Sequence, residues 1–92
     1  MKLATFTKQP AERESYTISY EEALTDGDNV LSATAVIDPV GLTIDGITIA
    51  DPVVRFWASG GTDGTRYKVT LTVTTEDGRV MEDEVYFKTK EH

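Results

Sequence analysis

The sequence predicts an all-β sandwich of about seven strands. Hydrophobic residues recur with period two along most of its 92 residues, the spacing of strands with one buried and one wet face. Clusters of Gly, Pro, Asp and Asn interrupt that alternation at short intervals, as turns between strands do. No segment keeps a helical period. The longest candidate, Tyr20-Glu21-Glu22-Ala23-Leu24, is a single turn, too short to form a layer of its own.

Taken in chain order, Tyr16, Ile18 and Tyr20 alternate with Thr17 and Ser19. The stretch from Val30 to Ile37 is rich in small and β-branched residues. Leu31, Ala33, Ala35 and Ile37 are expected inward there, with Val30 and Val36 competing for the core. Asp45-Gly46 stands between Leu42-Thr43-Ile44 and Ile47-Thr48-Ile49, which predicts a hairpin. Next, Val54, Phe56 and Ala58 are expected inward, opposite Val53, Arg55 and Trp57. Tyr67, Val69, Leu71 and Val73 form the clearest buried face, and Lys68, Thr70, Thr72 and Thr74 the wet one. Asp77-Gly78 predicts a second hairpin, leading to Val85 and Phe87 inward and Glu84, Tyr86 and Lys88 outward. Strands at this spacing without a long helix point to an immunoglobulin-like antiparallel β-sandwich. Residues 14–89 are assigned to it, 1–13 to an N-terminal strand or mobile segment, and 90–92 to a tail.

Composition removes several classes of function. Nine basic side chains against sixteen acidic ones give a net charge of −7, which would repel a phosphate backbone, so no nucleic acid is expected as a partner. No apolar run approaches the ~20 residues of a membrane-spanning helix. The start, MKLATFTKQPAER, lacks the apolar core of a secretory signal, which suggests synthesis in a cytoplasm. There are no cysteines, which rules out disulfides and thiolate metal sites.

The stretch FWASGGTDGTRY, Phe56 to Tyr67, packs three glycines into five residues. A phosphate-binding loop needs a lysine after its last glycine and a helix behind it. Here Thr65 and Arg66 follow Gly64, and then a strand. The alternative is a corner between two core strands, with Gly60, Gly61 and Gly64 supplying positive φ. Tyr67, just past the corner, stands where sandwiches place a tyrosine whose hydroxyl bonds to the backbone upstream.

These residues also carry a resemblance. SGGTDGTRYKVTLTVTTEDGR resembles the most regular segment of a family of small immunoglobulin-like proteins of tailed phages and prophages. In that family a Ser-Gly-Gly-Thr-x-Gly-x-x-Tyr corner leads into a threonine-rich strand and a Thr-x-x-Gly-Arg hairpin. Here these are Ser59 to Thr62, Gly64, Tyr67, Thr75, Gly78 and Arg79. Upstream, YTISYEEALTDGDNVLSATAVIDPVGLTI is similar to the family's Leu-x-Asp-Gly-Asp turn and Pro-x-Gly-Leu-Thr segment. The likeness covers residues 14 to 89. Where the family often has a third-strand tryptophan, this chain has Ala33 or Ala35. The resemblance implies a non-enzymatic structural component of the particle, often a fibre–tail adaptor. Its partners would be other virion proteins, self-association in the particle remaining open. It would be made in the host cytoplasm and end in the tail of the virion.

The residues themselves offer little chemistry. The one histidine, His92, is terminal, so no Ser-His or Cys-His pair can be assembled within the domain. No cofactor, metal or catalytic residue is expected. Asp26-Gly27-Asp28-Asn29 spaces its oxygens like a calcium loop but lacks the glutamate and helices of an EF-hand, so it is read as an Asx turn. Trp57 is the residue of interest. Its indole either lies on its own sheet beneath Arg55, or anchors a neighbouring subunit, as tryptophan and arginine often do. The candidate interface is therefore Trp57, Arg55, Val53 and Tyr86, joined by the segment Met1 to Arg13. The alternative function is a binding module for carbohydrate or a surface receptor, which would stack sugars on a row of exposed aromatics.

Overall fold

The computed structural model describes residues 2–24 and 27–90. Asp26 and the terminal Glu91 and His92 lie outside the described residues. The described residues form seven strands: β1 (Lys2–Lys8), β2 (Arg13–Ser19), β3 (Val30–Asp38), β4 (Leu42–Ala50), β5 (Val53–Gly60), β6 (Arg66–Thr75) and β7 (Val80–Thr89). They form a four-stranded sheet of order β1-β7-β6-β3 and a three-stranded sheet of order β2-β5-β4. All neighbours are antiparallel except β1, which runs parallel to β7. This is the strand order of an immunoglobulin-like sandwich.

Alternation sets what each strand buries. Val54, Phe56 and Ala58 of β5 have no exposed surface, and neither do Val69, Leu71 and Val73 of β6 or Val85 and Phe87 of β7. A ring cluster joins the sheets. Tyr16 of β2 packs with its ring centre 4.6 Å from Phe6 of β1 and 5.0 Å from Phe87 of β7, the latter edge-on. Phe56 completes the set, 5.9 Å from Tyr16. Burial pushes the Tyr16 phenol up, and Glu14 and Glu12 add to the effect. A second cluster of Tyr20, Val30, Val54 and Val73 lies beside the first, with Ile18 and Ile47 packed against both.

Two expectations are corrected. Leu31 faces solvent, 59% exposed, while Val30 is buried. The register between β3 and β6 shifts between Val30 and Ser32, so Leu31 is the extra residue of a bulge and the inward set runs Val30, Ala33, Ala35, Ile37. Asp45-Gly46 is likewise no hairpin. β4 passes through it as one strand, paired to β5 on both sides, with a register shift between Asp45 and Thr48. Both halves find the same partner, so the glycine at φ +60° makes a bulge that turns Ile47 inward. The place of the missing strand in the count is taken by β1. Asp77-Gly78 is a tight turn, with Gly78 N–H donating to the Thr75 carbonyl at 3.0 Å. Tyr20 to Leu24 makes one turn, in which Ala23 and Leu24 N–H both donate to the Tyr20 carbonyl.

Phe56 has no exposed surface and packs its ring 5.9 Å from that of Tyr16 and 6.4 Å from that of Phe87. Truncating such a residue costs about 3–5 kcal/mol, against ~5–10 kcal/mol for a domain of this size. Phe56→Ala is therefore expected to lose about 3–5 kcal/mol of unfolding free energy, a large share of the total. A loss below ~1 kcal/mol in urea unfolding of that variant would contradict the packing.

Candidate functional site

The outer face of the three-stranded sheet is organised around Trp57. β5 is the middle strand, and its register sets Trp57 between Ser15 of β2 and Asp45 of β4. Phe56 and Ala58 on either side are buried, so the indole points outward and is half-buried. Two guanidinium groups cover the ring: Arg13 at 4.5 Å from its centre and Arg55 at 5.0 Å. Such stacking is favourable because the π face is electron-rich. Arg13 is tied down by Asp45, Nη2 to Oδ1 at 2.9 Å, and Arg55 Nη2 donates to Ser15 Oγ at 3.3 Å. The bulge makes the room. A Cβ on Gly46 would lie 2.7 Å from Trp57 Cδ1, so the ring rests on a position only glycine leaves open. Stacking by Arg55 follows from its spacing to Trp57. Arg13, Asp45 and Gly46 join the site through strand pairing, which no local pattern in the chain reveals.

Val53 lies at the far end of the same face, half-buried. Tyr86 does not. It points out from β7 on the opposite side of the sandwich, with the Arg66 guanidinium 4.4 Å from its ring centre. The two outward aromatics form no row for stacking sugars. Residues 2–8, at the other end of the proposed contact segment, are strand β1 on the four-stranded sheet.

At one end of the sandwich, Gly60, Gly61 and Gly64 have φ of 76°, 100° and 82°. The Tyr67 hydroxyl accepts from Thr62 N–H at 2.9 Å. Hydrogen bonding to the Thr62 side chain leads the effects that hold this phenol below its usual range; burial opposes it, and the Thr62 backbone, Thr65 and Lys8 assist. Gly61 N–H donates to the Gly41 carbonyl, Gly64 N–H to Thr89 and Thr65 N–H to Thr62. These amides are already bonded within the protein, so the loop offers no cradle for phosphate. Lys8 is missed by sequence reasoning. It is buried, and its Nζ donates to the carbonyls of Gly60 and Gln9, each at 2.6 Å. Desolvation lowers its pKa, and Glu12 and Tyr67 oppose that.

Asp28 is also buried. Its Oδ1 accepts from the N–H groups of Asn29 and Asp77 at 2.9 and 3.0 Å, so it ties its own turn to the β6–β7 hairpin. Burial alone would raise this carboxyl. Hydrogen bonds from the Thr75 side chain and those two amides outweigh burial, and with Arg79 nearby they bring it below the usual range. No three metal-ligating side chains converge among the described residues.

Two tests follow from this geometry. Gly46→Ala forces a side chain into positive φ, costing about 1–2 kcal/mol, and pushes on the indole. A lower Tm and a shifted emission of the one tryptophan are expected; an unchanged spectrum would contradict the contact. For Asp28, a folded pKa below the unfolded value of about 3.9 means stability that is present above pH ~4 and lost as pH falls through the folded pKa. The stability gap between the parent and Asp28→Asn should therefore be flat near neutrality and narrow below pH ~4. A gap that stays constant down to pH ~2 would contradict this assignment.

In comparison with known proteins, the family model described as podophage GP4 fiber-tail adaptor protein gp77 matches residues 8–88. Among curated proteins none matches the chain.

Proposed function

The chain belongs to the podophage fibre–tail adaptor family, and on that premise we propose that it is a non-enzymatic subunit of the phage tail that works through protein–protein contacts. It is made in the host cytoplasm and takes its place in the tail of the virion. The contact face is the outer surface of β5, with Trp57 and Arg55 at its centre and Val53 at its end. The observation that carries this reading is the arrangement of Trp57 itself. A large ring is held in one orientation by Arg13, Arg55 and the Gly46 bulge, yet remains partly open to solvent. An anchor already ordered before binding loses little entropy when a partner docks, and tryptophan and arginine dominate the binding energy of protein interfaces. Tyr86 with Arg66 forms a separate patch on the other sheet, open to a second neighbour.

The test is Trp57→Ser introduced into the phage genome. The ring is half-buried, so the variant should lose less stability than truncation of a core aromatic and still unfold cooperatively. Loss of an interface anchor worth ~2 kcal/mol should weaken binding to the neighbouring tail protein by about 30-fold, with fewer particles carrying the subunit. Unchanged incorporation would show that another surface docks. Collapse of the fold would show that Trp57 serves the core.

A further inference from the structure

Each sheet ends in two edge strands, and exposed edges are usually blunted by charge, proline or a bulge. β2 opens with Arg13-Glu14, β4 carries Asp45 and the Gly46 bulge, and β1 begins with Lys2 and is followed by Pro10. β3 is different. It has no charged residue from Val30 to Ile37. Its one bulge lies at Leu31, and from Ser32 to Asp38 its register with β6 is unbroken. With a neighbour on one side only, alternate N–H and C=O groups along it have no strand to bond. The apolar surface gathers here as well. Leu31 is 59%, Val36 65% and Val40 90% exposed, and Ile49 lies on the adjoining edge of β4.

We propose that the open edge of β3 accepts an additional strand from another protein, an extended segment uncharged where it faces Ser32 to Ile37 and basic at both ends. Main-chain hydrogen bonds would supply affinity, as in strand addition generally. The basic ends follow from what bounds the edge. Asp38 closes one end, and Asp51, whose Oδ1 accepts from Val30 N–H at 2.7 Å, stands at the other; both are exposed. The same charges disfavour a second copy. Antiparallel pairing of two β3 strands about Thr34 would set Asp38 of each against Val30 and the neighbouring Asp51 of the other, between chains that each carry −7. That the strand comes from a tail protein rests on the adaptor reading; the pairing itself does not.

The probe is a blocked peptide, Lys-Thr-Val-Thr-Val-Thr-Val-Lys, titrated into the full chain and followed by amide exchange. Exchange at β3 amides is expected to slow tenfold or more, with β1, β2 and β4 unchanged. Val36→Lys should reduce the affinity tenfold or more at an unchanged Tm, and Thr34→Lys, also on the exposed edge, serves if Val36→Lys is unstable. A twin peptide with glutamate at both ends should bind at least tenfold more weakly at low salt. Trp57→Ser should bind the lysine peptide like the parent, which separates this edge from the β5 face. Unmoved β3 amides, equal binding of both peptides, or loss of binding in Trp57→Ser would each overturn the proposal. So would a dimer in sedimentation that Val36→Lys dissociates.

Discussion

The structure depends on what β5 buries. As the middle strand of the smaller sheet, it has a neighbour on both sides and Val54, Phe56 and Ala58 wholly inside. A strand has period two, so a slip of one residue would exchange its faces and bring Trp57 and Arg55 into the core. Packing of Phe56 against Tyr16 and Phe87 removes that freedom. The outer face of the sheet is then determined as a consequence. The same alternation that seals the core presents the indole to solvent.

Both bulges act on this frame. At Leu31 the extra residue lets Val30 enter the second cluster and leaves a leucine outside. At Gly46 it sends Ile47 inward, where it touches both clusters, and opens the space on which Trp57 lies. A domain of this size buries a smaller share of its surface than a large one, and the inward Ile47 adds side-chain volume against both clusters. One glycine thus serves the core on one side of the sheet and the outward aromatic on the other.

The ends of the sandwich are closed by polar groups rather than by size. At the glycine corner, Tyr67 and Lys8 take up Thr62 N–H and the Gly60 carbonyl, groups that would otherwise be orphaned near the core. At the opposite end Asp28 bonds two turns at once. Buried polar groups of this kind are tolerable when they are hydrogen-bonded, as the Tyr67 hydroxyl, Lys8 Nζ and Asp28 Oδ1 are. The loops at both ends are thereby tied to the strands they join.

Much of this was legible in the residues alone. The alternation Tyr67, Val69, Leu71, Val73 sets the inward face of β6. The neighbours of Trp57 send its ring outward, and Asp77-Gly78 forms a turn because its flanking strands pair with each other. These are local properties, carried by period and turn chemistry. What escaped was non-local. Asp45-Gly46 has the composition of a hairpin, yet β5 lies beside both halves and holds them in one strand, which a local pattern cannot express. Arg13 reaches Trp57 only because β2 pairs with β5 in one register. Lys8 and Asp28 carry charge, which by itself predicts exposure, and are buried because distant carbonyls and amides await them. The sequence by itself determined which side of each regular strand is apolar. Only the tertiary structure decided which strands meet, and so which polar side chains find partners far along the chain.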